Sequence, residues 1–347
     1  MSASAISATV CRAAGAAAVL CSAIGMLVPS AWAEEPYFQG NTITINVAGT
    51  AGGLFDLMTR TMADFYGRYL PGNPAIVVKD QPGGGGLVAG NSLYNVAPKD
   101  GTVLAYVGPI AMDPLLNPGS GRAKFDAQKF TWIGSLGTSH SVLVIWSASP
   151  IKTAADLFTK ETIVAGTGAG ATTDFYPKVL NDVLGTKFKL ITGYQGSKET
   201  YLAIERGEAY GRFNSWDALK STNSSWLTEK KAHVILQAAF NRHPELPDVP
   251  NVLDFAKTDE QRQTLRFMVA PSEMRPIAGP PGIPAGRAAA LRGAFAKMVK
   301  DPEYLAEAKK RSIDTAQPMT GEELDAAVKA IYRTPKAIVD RVAAAMH

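Results

Sequence analysis

The sequence predicts an α/β protein with two similar lobes, and three observations support that fold class. Apolar strand patterns alternate with helical patterns, glycine-rich loops follow several of the strands, and the alternation starts again near residue 140. A chain of 347 residues, 46% of them hydrophobic and 19% charged, is long enough to bury a core in each lobe.

The N-terminus predicts a secretory signal peptide over residues 1–33. A short polar start ends at Arg12, an apolar stretch follows from Ala13 to Val28, and an A-x-A cleavage site ends at Ala33. A membrane anchor is the alternative, but the apolar stretch is short for a span of about 20 residues. We therefore expect a secreted protein that is cleaved near Ala33.

Cysteine and charge content narrow the function further. Both cysteines, Cys11 and Cys21, lie inside the predicted signal, so we expect a mature chain without a disulfide, a thiolate metal site or a cysteine nucleophile. The formal charge of the whole chain is +4 and is spread evenly. That small charge does not indicate nucleic-acid binding.

The first half predicts a βαβαβ unit, and therefore a parallel sheet with helices on its faces. In order, the elements are a strand at 42–47, a glycine loop at 48–53, a helix from 54, a strand at 75–78, a second glycine loop at 83–86, a helix to about 96 and a strand at 102–107.

A similar unit follows. Its predicted elements are a strand at 143–145, a helix at 154–158, a strand at 162–165, a third glycine loop at 166–170, a helix at 174–183, a strand at 188–191, a helix at 199–205 and a strand at 209–213. Near the C-terminus, Asp301-Pro302 predicts one helix start, and a capping box over Thr320 to Glu323 predicts another. We expect these last helices to pack on the first lobe.

Glycine loops between a strand and a helix can form anion sites. Such a loop directs backbone N–H groups and the positive end of a helix dipole at whatever lies there. In open α/β sheets these sites cluster beyond the carboxyl ends of the strands. Glycines that merely permit tight turns are the alternative.

Nucleotide and enzyme motifs are incomplete. Residues 166–171 fit G-x-G-x-x-A, but the next strand ends in Thr192-Gly193-Tyr194 without the acidic residue of a dinucleotide site. The loop at 83–86 lacks the ending of a P-loop. There is no G-x-S-x-G motif, and the four histidines show no metal-binding spacing. We therefore expect no cofactor, no metal and no catalytic residue.

With these loops placed, the chain resembles the extracytoplasmic receptors of tripartite tricarboxylate transporters, also called the Bug or TctC family. The resemblance covers nearly all of the mature chain. The segments that carry it are Ala51 to Asp56, Gln81 to Leu87, Asn95 to Thr102, Gly193 to Gly196, Arg206 to Glu208 and Pro280 to Pro284.

The resemblance implies a two-lobed, Venus-flytrap fold of the type II-like class, with two crossing strands between lobes and the ligand bound in the cleft. It implies a first lobe over 34–139 and 270–347 and a second over 140–269. It also implies that loops from both lobes hold a ligand carboxylate. The first loop of this chain lacks the prolines and aromatic residue that many members carry, so the shape of the ligand stays open.

The two loops and their neighbours supply the candidate ligand-binding residues. These are Thr50, Ala51, Gly52, Gly53, Phe55, Asp56, Thr138, Ser139, Gly168, Ala169, Gly170, Ala171, Thr172, Thr173, Tyr194 and Trp216. Each has a structural alternative: the threonines as helix caps, Asp56 as a partner of the helix dipole, the aromatic residues as core, and Thr138 and Ser139 as hinge.

The sequence thus predicts a monomeric periplasmic receptor without chemistry of its own. We expect it to bind a small mono-, di- or tricarboxylate, or an aromatic acid, and to deliver it to integral membrane transporter subunits. A receptor that signals through a membrane sensor kinase is the first alternative. A secreted α/β enzyme is the second.

Overall fold

The structure is a computed structural model that describes residues 37–108, 110–168 and 171–346. The predicted signal peptide lies outside these ranges. Within them the strands form two separate sheets. The strands are β1 (Thr42–Val47), β2 (Ala75–Asp80), β3 (Val103–Tyr106), β4 (Thr131–Ser135), β5 (Ser141–Trp146), β6 (Thr162–Ala165), β7 (Phe188–Ile191), β8 (Gly211–Ser215), β9 (Ala232–Ala238), β10 (Pro276–Gly279) and β11 (Met319–Thr320).

Helices cover the faces of both sheets. They are α1 (Leu54–Tyr66), α2 (Leu87–Asn95), α3 (Asp113–Leu116), α4 (Thr172–Leu184), α5 (Ser197–Glu205), α6 (Trp216–Thr222), α7 (Ser224–Thr228), α8 (Asp259–Val269), α9 (Ala285–Met298), α10 (Pro302–Lys310), α11 (Gly321–Tyr332) and α12 (Lys336–Ala345). Of the described residues, none belongs to a helix both long and apolar enough to cross a bilayer.

The first sheet has the strand order β11-β4-β10-β3-β1-β2. Strand β1 pairs in parallel with both β2 and β3, which confirms the predicted βαβαβ unit. Ile43, Ile45 and Val47 alternate along β1 and are fully buried, and Met58 and Met62 of α1 belong to the same core. The alternating apolar residues of β1 and the apolar face of α1 therefore pack in one core.

The second sheet has the order β7-β6-β8-β5-β9. Strand β6 pairs in parallel with β7 and β8, and α4 and α5 connect these strands in sequence, which confirms the second predicted unit. Strand β5 lies between β8 and β9 and is antiparallel to both. The predicted helix at 154–158 is present, and it is a 3₁₀ helix, Ala154–Phe158.

The chain passes from the first sheet to the second between Ser135 and Ser141, and returns between Val269 and Pro276. These two crossings confirm the two-lobed fold class. We call the elements on the first sheet the first lobe and those on the second sheet the second lobe. The boundaries at 139/140 and 269/270 remain a prediction.

The C-terminal helices begin as the sequence predicts. Asp301 accepts a hydrogen bond from the N–H of Glu303, 2.8 Å away, and Thr320 and Glu323 form the expected capping box before α11. Helices α9 and α11 pack on β4 of the first lobe. Helix α12 contacts α3 and also α4 and α8 of the second lobe, so the last helix bridges both lobes.

Candidate functional site

A cavity of about 140 Å³ lies between the two lobes. Residues at or just beyond the carboxyl ends of β1, β3, β6 and β8 surround it, as expected for a ligand site in open α/β sheets. The first lobe and the first crossing contribute Ala48, Gly49, Thr50, Gly53, Leu54, Phe55, Pro82, Gly83, Gly85, Gly86, Tyr106 and Ser139. The second lobe and the return crossing contribute Ser141, Thr167, Ala171, Thr172, Thr173, Gln195, Gly196, Ser197, Arg212, Phe213, Asn214, Ser215, Ala218 and Met274.

Five helices start at this cavity without a side-chain cap. The N-cap residues of α1, α2, α4, α5 and α6 are Gly53, Gly86, Ala171, Gly196 and Ser215, and all of them line the cavity. Helices α8, α10 and α11 start elsewhere and are capped by Thr258, Asp301 and Thr320, α9 and α12 follow prolines, and the short helices α3 and α7 also start elsewhere without a side-chain cap. The first N–H of the short helix α6 donates to the carbonyl of His140 at 2.8 Å, so the positive ends of α1, α2, α4 and α5 are the ones available to an anion.

Neutral polar side chains supplement these backbone groups. The hydroxyls of Thr50, Ser139 and Thr172 line the cavity and have no hydrogen-bond partner among the described residues. The hydroxyl of Thr173 is already engaged, because it accepts from the N–H of Thr167 at 3.1 Å. Free hydroxyls can donate to or accept from a ligand, so this lining suits an oxygen-rich molecule.

Arg212 is the one charged side chain among the described lining residues. It lies on β8 and is 5% exposed. Its Nε donates to the carbonyl of Phe213 at 3.0 Å, and its Nη1 donates to the hydroxyl of Thr200. Its guanidinium carbon lies 5.0 Å from the centre of the Tyr201 ring. Burial lowers the pKa of Arg212, which the phenol of Tyr201 only partly opposes.

Apolar side chains form another part of the wall. The rings of Phe55 and Tyr106 pack with centroids 4.6 Å apart, and both residues line the cavity together with Leu54, Phe213 and Met274. Aromatic and aliphatic walls with a few polar anchors are typical of small-molecule sites.

The two lobes touch across the cavity. A Cβ atom added to Gly196 of the second lobe would lie 2.6 Å from Oγ1 of Thr50 in the first. A Cβ on Gly168 would lie 3.2 Å from the backbone nitrogen of Gly85. Glycine backbone from one lobe therefore packs directly on the other, and the structure shows the lobes closed.

The model for the tripartite tricarboxylate transporter family receptor matches residues 59–339. The match spans both lobes and both crossings. The chain belongs to this family.

Two curated proteins are also similar to the chain in sequence. A UPF0065 protein from the TAR-I ttuE-ttuC' intergenic region of Agrobacterium vitis is 25% identical to the receptor over 317 residues, 89% of this chain and 86% of the relative. A UPF0065 protein from the gbd 5' region of Cupriavidus necator is 33% identical over 132 residues, which is 38% of either chain.

Solved structures share the fold of the receptor. MatC from Rhodopseudomonas palustris with bound malate has a TM-score of 0.69 at 19% identity, covering 86% of this chain and 99% of its own. Rpa4515 of R. palustris with adipate has a TM-score of 0.67 at 15% identity, covering 87% and 97%. The periplasmic binding protein BugD has a TM-score of 0.66 at 18% identity, covering 84% and 94%.

Seven of the sequence-predicted site residues line the cavity of the receptor. They are Thr50, Gly53, Phe55, Ser139, Ala171, Thr172 and Thr173. These residues come from both glycine loops and the first crossing, so the structure brings the two loops together as the resemblance implies. The predicted Ala169 and Gly170 lie outside the described residues.

Asp56 contacts the backbone of the first glycine loop and does not line the cavity. The buried Asp56 carboxylate accepts a hydrogen bond from the N–H of Gly52 at 2.7 Å and pairs with Arg60 at 2.5 Å. Ala51 and Gly52 do not line the cavity. Asp56 thus holds the shape of the loop, which is the structural alternative that its position in a first helical turn suggests.

Two other predicted residues also hold the loops. The N–H of Gly168 donates to Asp174 at 2.8 Å, which braces the second loop from behind. The N–H of Thr138 donates to the carbonyl of Ala316 at 2.9 Å, which ties the first crossing to the C-terminal segment.

The two remaining aromatic candidates point elsewhere. The Tyr194 hydroxyl donates to Glu208 at 3.1 Å outside the cavity. The Trp216 indole donates to Glu245 at 2.6 Å and borders a second cavity of about 500 Å³ beside the crossings. The helical repeat of α6 explains why Trp216 does not line the first cavity. Ser215 and Ala218, three residues apart, lie on the face toward the first cavity, whereas Trp216 lies on the face toward the second.

Sequence reasoning missed Arg212 as a site residue. The residue lies inside a predicted strand, and no motif surrounds it. The available signal is a charged residue between Gly211 and Phe213, both buried in the second sheet. A buried charge on a strand needs a partner, and only the structure shows that the nearest acids in the sequence, Glu208 and Asp217, contact Tyr194 and Arg275 instead.

Glu273 at the return crossing makes stability pH-dependent. Burial raises the pKa of Glu273 to about 7, and a hydrogen bond from the N–H of Phe240 at 3.0 Å opposes this only in part. The folded protein then holds a proton that the unfolded chain releases near pH 4.5. The resulting stabilisation is full below that pH and is lost as the pH rises through about 7.

We therefore expect the unfolding free energy to fall by about 1–3 kcal/mol more between pH 5 and pH 8 in the native protein than in Glu273→Gln. Urea denaturation of both proteins at the two pH values measures the difference. Equal pH slopes for the two proteins would contradict the assignment.

Proposed function

We propose that this receptor captures a small carboxylate in the cleft between its lobes and delivers it to the membrane subunits of a tripartite tricarboxylate-type transporter. The observation that carries the proposal is the convergence of uncapped helix N-termini from both lobes on one cavity. Such groups bind anionic oxygen atoms without a cationic side chain.

Lobe closure supplies the mechanism. A ligand that contacts both lobes binds the closed form more tightly than the open form and therefore shifts the population toward closure. The contact of Thr50 with Gly196 exists only when the lobes meet. Closure then presents a surface made by both lobes, which a membrane subunit can distinguish from the open receptor.

The cavity limits ligand size. Its volume of about 140 Å³ is close to that of a cavity of about 150 Å³ that holds benzene in another protein. Acids of about four to six carbons fit this space. The malate and adipate in the two structural neighbours are of that size and support the proposal, although those proteins share only the fold with this chain.

The lining favours binding over chemistry. Among the described lining residues there is no His, Cys, Asp, Glu or Lys side chain to act as a nucleophile or base. The family assignment supports a periplasmic location. We also propose cleavage after residue 33 and lobes that divide at 139/140 and 269/270. We propose a monomer that contacts membrane subunits.

A ligand screen tests the proposal. Purified protein is unfolded and refolded to remove any resident ligand, and its melting temperature is recorded with small mono-, di- and tricarboxylic and aromatic acids. We expect at least one acid at about 100 times its Kd to raise the melting temperature by about 5 °C, because it binds only the folded state. The corresponding neutral amide serves as control.

A flat response to every acid, from protein whose circular dichroism shows native structure, would contradict the carboxylate assignment. A positive acid is then followed in cells: uptake of its radiolabelled form should fall when the gene for this chain is deleted. Unchanged uptake would contradict delivery to a transporter but not ligand binding.

A further inference from the structure

Arg212 occupies a defined place at the floor of the second-lobe half of the cavity. Gly211 pairs with Val164 in the parallel β6–β8 ladder, so Arg212 lies level with the carboxyl end of β6, where the second glycine loop begins. Its guanidinium lies beside the first turns of α5, where Thr200 and Tyr201 contact it. The residue therefore stands at the edge where ligands bind in such sheets.

The charge of Arg212 has no carboxylate partner. Among the described residues, no Asp or Glu lies within ion-pair distance of it. Its Nη2 donates no hydrogen bond among those residues and is not one of the fully buried atoms that lack a partner, and the residue itself lines the cavity. A buried cation without a counter-ion is costly unless a ligand supplies the anion.

Arg275 provides an internal comparison. It is 1% exposed, and its Nη1 lies 2.6 Å from Oδ2 of Asp217. Burial alone would lower the pKa of Arg275, but the Asp217 carboxylate, together with smaller contributions from Tyr106 and Asp314, outweighs burial and the pKa is raised. The pKa of Arg212 is instead lowered by burial. The chain thus supplies a counter-ion for one buried arginine and leaves the other facing an open cavity.

The first-lobe side of the cavity binds anions in a different way. Its described lining residues include no cationic side chain, but Gly53 and Gly86 leave the N-termini of α1 and α2 open. Two anion-binding features of different chemistry therefore face one another, one in each lobe.

We propose that Arg212 is a specificity-determining residue that forms a second anion subsite, and that the ligand carries two acidic groups, one held by each lobe. This inference rests on the proposed function and deepens it. A ligand with two acidic groups interacts with both lobes and so stabilises the closed form more than a monoacid does. The described lining holds no carboxylate to pair with an ammonium group, so the ligand is a diacid without a free amine.

Calorimetric titration of matched acids tests the inference. The probes are succinate, glutarate and adipate, with butyrate, pentanoate and hexanoate as monoacids of equal carbon number. We expect the native protein to bind one of the diacids at least about tenfold more tightly than its matched monoacid. In Arg212→Gln, diacid affinity should fall about 100-fold and monoacid affinity should change by less than about threefold.

Two further variants separate charge from structure. Arg212→Lys keeps the charge but loses the planar donor pair, so it should retain part of the diacid preference. Arg68→Gln removes one exposed positive charge far from the cavity and should leave both affinities unchanged. Melting temperatures of the ligand-free variants establish that each one folds.

The outcomes are distinct. If Arg212→Gln lowers the affinities for monoacids and diacids equally, the second subsite is overturned, because Arg212 would then bind the carboxylate that both kinds of acid share. Unchanged diacid binding in that variant would overturn it too, as would a native protein that binds monoacids but no diacid. A native protein that binds none of the broader set of acids would instead overturn the proposed function itself.

Discussion

Replacing Gly196 by valine is expected to weaken ligand binding by about 10- to 100-fold, which corresponds to the 1–3 kcal/mol that overpacking costs. Even the first added carbon would lie 2.6 Å from Oγ1 and 2.7 Å from Cγ2 of Thr50 in the closed form. The backbone of Gly196 is extended, so the open form accepts a side chain there without strain. Calorimetric titration with an acid found in the screen measures the effect.

Thr50 and Gly293 supply the controls for this prediction. Gly196→Ala produces a milder clash than Gly196→Val. Adding Thr50→Ala removes Oγ1 and Cγ2, the two atoms closest to the new methyl group. The double variant Gly196→Ala/Thr50→Ala should therefore bind ligand more tightly than the sum of the two single-variant losses in binding free energy predicts. Gly293 of α9 has open space around it, and Gly293→Ala should leave affinity unchanged. If Gly196→Val binds like the native protein, closure through the Thr50 contact is wrong.

Removal of the Asp217 carboxylate is expected to lower the unfolding free energy by about 3–5 kcal/mol, because Arg275 would remain buried without its counter-ion. The two side chains are 3% and 1% exposed, and their ion pair joins the start of α6 in the second lobe to the return crossing. Urea denaturation of Asp217→Ala measures the loss. Asp217→Asn should be intermediate, because it keeps an acceptor but not the charge.

An exposed pair gives the matched comparison. Arg68 and Glu303 lie 2.8 Å apart with 53% and 72% of their side chains exposed, so Glu303→Gln should leave the urea midpoint nearly unchanged. The apolar double variant Asp217→Leu/Arg275→Met should recover much of the loss of Asp217→Ala. If Asp217→Ala has the same unfolding free energy as Glu303→Gln, the buried Asp217–Arg275 pair does not stabilise the return crossing.

Local patterns predicted those parts of the fold that depend on neighbouring residues. Both βαβαβ units, the helix starts at the glycine loops, the Asp301 cap and the Thr320 capping box follow from apolar periodicity and from the identity of a few cap residues. Strand β10 could not be placed in this way. It has four residues and pairs between β3 and β4, which precede it by more than 130 positions.

The glycine loops were the part of the site that sequence could reveal. Their conformations depend on residues next to one another, so a glycine loop between a strand and a helix can be recognised in the sequence. Arg212 needed the fold, because its place in the proposal depends on having no carboxylate within ion-pair distance among the described residues, which only packing decides. Trp216 is the opposite case, a residue that the sequence predicted for the site and the structure places elsewhere. Its side chain faces the second cavity, because successive residues in the first turn of α6 lie on different faces of the helix.

By itself the sequence determined the fold class, the family resemblance and the backbone chemistry of the two loops, since each of these is a property of short segments read in order. The tertiary structure alone decided which loops meet, that Gly196 packs on Thr50, and that Arg275 is paired while Arg212 faces the cavity. The physical reason is that burial and electrostatic pairing depend on distances between residues far apart in the chain, and folding sets those distances.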